Sequence, residues 1–152
     1  MRAWRCGTAS IEHPYPADGA ERFVAKAMAA DSAVRLRLAV ALREGGQLIG
    51  VIGTWLRDGE AVIGYWIDPG QWRKGYGWEA LGALLDHLAN ERGIRVFKAG
   101  TKPDNAASIG LLRKAGFLHV GEREDVFPAR GTDPVRTLLW RLDIGSEGLP
   151  PR

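Results

Sequence analysis

At 152 residues and 16.6 kDa the chain has room for one hydrophobic core, and 45% apolar with 26% charged residues is ordinary globular composition, which excludes collagenous, disordered and disulfide-scaffold classes. Twenty-one basic against 18 acidic residues give a net charge of +3, which suits an anionic ligand and falls short of a nucleic-acid footprint. One cysteine (Cys6), no zinc-type spacing and no run of about 18 apolar residues point to a cytoplasmic protein with no structural metal and no membrane span.

In chain order, the alanine-rich stretch 17–30 places Phe23, Ala27 and Ala30 on one helical face. Val34, Leu36, Leu38 and Val40 then alternate as in a strand with one buried face. Gly45-Gly46 and Asp58-Gly59 tolerate positive φ and predict hairpins into strands over 47–56 and 60–67. The period changes at Leu81, Leu84, Leu85 and Leu88, predicting a helix from about Trp78 to Glu91 that Gly93 ends. A short strand over 95–99, a helix over 104–115 closed by Gly116, and strands over 117–127 and 134–144 complete the order. The fold class is α+β, helices on a mixed sheet, in a single domain over 1–144 with a disordered tail over 145–152.

The most informative run is 68–80, DPGQWRKGYGWEA, between a strand and a helix. Helix-start amides lack internal partners, and Gly75 and Gly77 let a phosphate come close, with Arg73 and Lys74 adding charge. An ordinary strand-to-helix loop with solvated basic side chains is the equally weighted alternative. The P-loop pattern fails because Tyr76, not Lys-Ser/Thr, follows Gly75. A dinucleotide fingerprint fails because Gly75 lies far from the strand end and region 94–98 lacks the acidic ribose partner.

Gly64-Tyr65-Trp66, Pro69 and Trp72-Arg73-Lys74-Gly75-Tyr76-Gly77-Trp78-Glu79-Ala80 are followed by Pro103, Asn105, Ser108 and Lys114-Ala115-Gly116-Phe117. With Pro14-Tyr15-Pro16 and the stretch from Gly46 to Gly50, this pattern resembles the GNAT superfamily of acetyl-CoA-dependent N-acetyltransferases, in the branch that acetylates ribosomal-protein N-termini. The resemblance covers roughly residues 11–144 and implies a mixed, mostly antiparallel central sheet flanked by helices. Coenzyme A would lie where two strands splay, touching Trp66, Ile67 and the loop Trp72, Arg73, Lys74, Gly75, Tyr76, Gly77 and Trp78, with its pyrophosphate on the amides of 73–78. Asn105 would hold the pantetheine, and Ser108, one helical turn on, would reach the sulfur; read without the resemblance, both residues are helix caps.

The implied chemistry is direct attack of a neutral amine on a thioester, with an oxyanion donor near Tyr65 to Ile67, a hydroxyl (Ser108 or Tyr65) protonating the thiolate, and no acyl-enzyme. His13, His87 and His119 read as surface or packing residues.

Two departures bear on function. Val62 stands where many relatives place a glutamate base. An α-amine near pKa 8 and a lysine near 10.4 differ by roughly 2.5 units, about 3.4 kcal/mol, so a site without that base favours an α-amine or another weakly basic amine, the acceptor being a peptide N-terminus or a small amine. Only about a dozen residues precede the Pro-Tyr-Pro segment, so the usual first strand and helix are absent; a partner subunit (a homodimer) or residues 1–12 are expected to cover the exposed sheet edge. A downstream-assigned start is the other explanation. Arg73 and Trp78 replace a glycine and a small threonine of the pattern, and both side chains are expected to point outward. The alternatives are a catalytically weak CoA-binding sensor, and a nucleic-acid module using Arg35, Arg37, Arg43, Arg73 and Lys74, which lacks interleaved aromatics.

Overall fold

A computed structural model describes residues 15–127 and 133–145. Helix α1 (Gly19–Met28) leads into strands β1 (Arg35–Ala41), β2 (Leu48–Arg57) and β3 (Glu60–Ile67). A 3-10 turn (Pro69–Gln71) and helix α2 (Tyr76–Glu91) follow, then β4 (Val96–Thr101), α3 (Ala106–Lys114), β5 (Leu118–Val126) and β6 (Pro134–Asp143). The six strands form one sheet in the order β1-β2-β3-β4-β6-β5, antiparallel except for β3 against β4. The mixed, mostly antiparallel α+β architecture expected from the sequence is therefore the one observed.

The turns form for the reasons read from sequence. Asp58 and Gly59, at φ 53 and 78, make the two-residue connection whose twist matches that of β2 and β3, and Gly45 and Gly46 are also left-handed. Leu81, Leu84, Leu85 and Leu88 line one side of α2 and are buried with Ala61, Ile63, Phe97 and Trp140, the odd-numbered β3 face and its neighbours on β4 and β6. Trp140 Nε1 donates to Thr101 Oγ1 at 2.8 Å, so the buried indole keeps its hydrogen bond.

Two expectations change, and one element is added. Helix α2 starts at Tyr76, two residues before the expected start, because left-handed Gly75 forms its N-cap. The 3-10 turn, where Asp68 Oδ1 accepts from Gly70 N at 3.0 Å, is a local capping structure without hydrophobic period. The expected face of α1 is not a core face: Phe23 is exposed, Ala27 and Ala30 are half-buried, and only Gly19 is fully buried, under the Tyr15 ring, because the helix lies at the periphery.

Strand β1 ends the sheet, and no described residue pairs with its outer edge. Residues 1–12, expected to supply a strand there, Cys6, His13 and most of the 145–152 tail lie outside the described residues. No described helix is long and apolar enough to cross a membrane. Among the described residues, no group of three His, Cys, Asp or Glu side chains gathers.

Candidate active site

The parallel pairing of β3 with β4 runs only from Glu60↔Val96 to Ile63↔Ala99, whereas β3 stays paired with β2 up to Gly50↔Ile67. Beyond Ile63 the sheet is therefore split. Asp68 N–H donates to Ile49 O on the β2 side at 2.7 Å, so strand alternation turns the N–H and C=O groups of Tyr65 and Ile67 toward the gap. Ile67 O accepts from Trp72 Nε1 at 2.7 Å, which ties the following loop to the gap's rim.

That loop is held backbone-first. Gly75 adopts φ 89 and accepts at its carbonyl from Glu79 N–H at 3.0 Å, so the amides of the first turn of α2 precede the helical ladder. A Cβ on Gly75 would meet nothing within 4 Å, leaving the approach to that turn open; one on Gly77 would touch Leu111 Cδ2 at 3.4 Å and Ile67 Cγ1 at 3.9 Å, so Gly77 lets α2 close onto β3 and α3. Arg73 occupies φ 63, a conformation that favours glycine, and its side chain is exposed as expected. Lys74 Nζ donates to Gln71 Oε1 at 3.0 Å, and Tyr76 is half-buried. The outward orientation expected for Trp78 is not found: its ring packs against the core with Lys114 Nζ 4.3 Å from its centroid, because an indole one turn into α2 faces α3.

Tyr65 and Ser108 meet across the gap. Tyr65 Oη lies 2.7 Å from Ser108 Oγ, and burial pushes the phenol up to about 12, partly offset by the serine bond. Asn105 is the N-cap of α3, its Oδ1 accepting from Ser108 N–H at 3.1 Å, so the capping alternative is realised while its NH2 group is not used in the cap. Trp66 projects from the opposite face by strand alternation.

On that opposite face Val62 is exposed, opposite Trp55 and Lys98 in register. The acid nearest along β3, Glu60, pairs with Lys98 and Arg141, and the Lys98 ammonium first among its partners holds its carboxyl below the ordinary range. Sequence reasoning missed this cluster because its partners come from β4 and β6. His87 sits 3.5 Å from Glu91 on the α2 surface, and His119 stacks obliquely on Trp140, which fits the packing roles expected. A shallow depression of about 350 Å³ near Asp58, Gly59 and Arg92 lies at the β2–β3 turn, away from these residues.

Residues 1–118 match the family model of the acetyltransferase (GNAT) domain. The chain belongs to the GNAT family. It is 31% identical over 98 residues to the uncharacterized N-acetyltransferase p20 of Bacillus licheniformis, covering 62% of this chain and 55% of p20, so it spans little more than half of that curated relative. Among solved structures, Mycobacterium smegmatis RimJ in complex with CoA-disulfide superposes with a TM-score of 0.72 at 22% identity, over 88% of this chain and 64% of RimJ. The ribosomal-protein-alanine N-acetyltransferase of Brucella melitensis gives 0.71 at 24% identity, over 90% and 85%. At those identities the likeness is one of fold. GNAT acetyltransferases use acetyl-CoA.

Proposed function

We propose that the chain is an acetyl-CoA-dependent N-acetyltransferase that modifies a primary amine, with a peptide N-terminus as the favoured acceptor. The observation that carries this reading is the split between β3 and β4, with an open helix-start turn at one end and a paired Tyr65–Ser108 at its side. Acetyl-CoA supplies the acetyl group as a thioester, which a neutral amine attacks directly.

The amides of 73–78 are suited to grip the pyrophosphate, since helix-start N–H groups point outward with the positive end of the helix dipole. The Tyr65 and Ile67 backbones face the gap and can bond an extended pantetheine as a missing strand would; the Tyr65 or Ile67 N–H is placed to donate to a developing oxyanion. Asn105 keeps an amide donor beside its cap. With its pKa near 12, Tyr65 stays protonated at neutral pH and serves as a hydrogen-bond donor relayed with Ser108, which is nearer to the role of a thiolate-stabilising acid than of a base.

Among the described residues, Val62 offers no carboxylate where relatives place a base and Glu60 is engaged by two cations, which supports loss of the acceptor's proton to solvent. That favours α-amines over lysine side chains, and the likeness to the Brucella ribosomal-protein-alanine N-acetyltransferase fits an acceptor of the ribosomal-protein type. A homodimer that covers the β1 edge, in the cytoplasm, completes the proposal.

The test is calorimetry with acetyl-CoA and CoA, followed by turnover on a mixed amine library with product masses. Micromolar cofactor uptake and an acetylated α-amine support the reading; no uptake by folded protein overturns it. Cofactor uptake without transfer to any amine favours the CoA-binding sensor instead.

A further inference from the structure

Arg37 Nη1 is the one buried side-chain polar atom, among the described residues, that lacks a hydrogen-bond partner. A guanidinium nitrogen removed from water without an acceptor is costly, so an acceptor supplied from outside the chain would relieve it. Its position is specific. Register aligns Arg37 with Gly53 on β2 and Gly64 on β3, and alternation puts all three on the face opposite α2 and α3.

Gly53 lets the β1 backbone at Leu36 and Arg37 close over β2, since a Cβ there would meet Leu36 O and Arg37 Cα, while Gly64 leaves the row open at β3. A Cβ on Gly64 would meet nothing within 4 Å, so open space lies above the first residue past the last β3–β4 pair. With one face occupied by α2, α3 and the proposed cofactor turn, an acceptor reaches the gap from this other face. The Arg37 guanidinium carbon lies 5.0 Å from the Phe23 ring centroid, so α1 borders the same approach. Arg35 faces the same way two residues earlier, with its guanidinium carbon 4.2 Å from the Trp55 ring centroid, so the approach carries positive charge.

We infer that Arg37 determines acceptor specificity by binding a side-chain carboxylate in the first two residues of the peptide whose α-amine enters at Gly64. The inference rests on the acetyl-transfer reading above. Two strand spacings separate Arg37 from Gly64, roughly 9.5 Å, and an extended arginine covers much of that span, leaving the few ångströms that part an α-amine from a nearby acidic side chain. A planar guanidinium is also the cation suited to paired bonds with a carboxylate.

The experiment uses the full chain loaded with CoA, titrated with two pairs of peptides that differ only by Glu against Gln at the first or second residue. At least tenfold tighter binding of the Glu member in one pair, a matching kcat/KM ratio with acetyl-CoA, and collapse of both ratios to near one in Arg37→Met are expected. Arg37→Lys should keep part of the preference. Because Met retains the aliphatic stem over Phe23 and removes the unpaired nitrogen, Arg37→Met should melt no lower than the parent. Equal binding of both members, binding of neither, a preference that survives Arg37→Met, or a Tm several degrees lower in that variant overturns the inference. Failure of CoA uptake by the parent protein would instead remove the acetyl-transfer reading itself.

Discussion

The hydroxyls of Tyr65 and Ser108 are 43 residues apart in sequence and 2.7 Å apart in space, joining β3 to the first turn of α3 across the open part of the sheet. The Tyr65 ring also packs against the core, so its hydroxyl is held in place, and the bond lets each hydroxyl orient the other's proton. Tyr65→Phe and Ser108→Ala should each lower kcat, by about 10²-fold for an acid or relay group, with a smaller change in KM for acetyl-CoA. Because the two act as one unit, the double variant should lose much less than the product of the single losses. Steady-state kinetics on the three variants checks this, and full multiplicativity would separate the two roles.

Burial of the Tyr65 phenol, with its pKa raised to about 12 against roughly 10 for an unfolded tyrosine, links stability to alkaline pH. The unfolded chain releases this proton first, so the contribution is intact below pH 10 and is lost as pH climbs from 10 toward 12. It amounts to an order of 2–3 kcal/mol. Denaturant titrations at pH 9, 10.5 and 11.5 should show a steeper decline for the parent than for Tyr65→Phe. Identical slopes would mean that the phenol is not the group responsible.

Gly75→Ala places a Cβ at φ 89 and should cost about 1–2 kcal/mol, while weakening CoA binding because the first turn of α2 must shift. Arg73→Gly runs the other way: it relieves a side chain at φ 63 and should raise stability by up to about 1 kcal/mol. If the pyrophosphate is held by backbone amides, CoA affinity in Arg73→Gly stays within a few-fold. A hundredfold loss would assign the grip to the guanidinium. Thermal melts and calorimetry on both variants read these effects.

Thr101→Val leaves the Trp140 indole N–H without an acceptor inside the core and should destabilise by about 1–3 kcal/mol. Chemical denaturation measures it directly. Since the pair lies in the β4–β6 core away from the cofactor turn, its signature is a lower midpoint at unchanged m.

Local signals were enough for much of this structure. Leu81, Leu84, Leu85 and Leu88 carry a helical period because one side of α2 must be buried, and Asp58-Gly59 turns the chain because both residues accept positive φ. The strand-to-helix turn at Gly75 was legible for the same reason, because its left-handed backbone favours glycine. Contacts between distant strands were not. Nothing in the sequence aligns Arg37 with Gly64, or Glu60 with Lys98 and Arg141, until sheet register does so. Helix α1 misled because an alanine-rich period signals a helix without saying how much lies over it, and Trp78 misled because its orientation depends on where α3 docks.

The short β3–β4 ladder has a mechanical consequence. Four residue pairs join one three-stranded half, β1-β2-β3, to the other, β4-β6-β5, and past Ile63 no strand pair among the described residues continues the seam, which the Tyr65–Ser108 bond to α3 crosses. An extended ligand laid in that seam adds the rungs the protein omits, so occupancy stiffens the junction between the halves. The amide protons of Tyr65, Ile67 and Gly100, which face the seam, should then exchange more slowly, with the two halves moving as one elastic sheet while a ligand fills it.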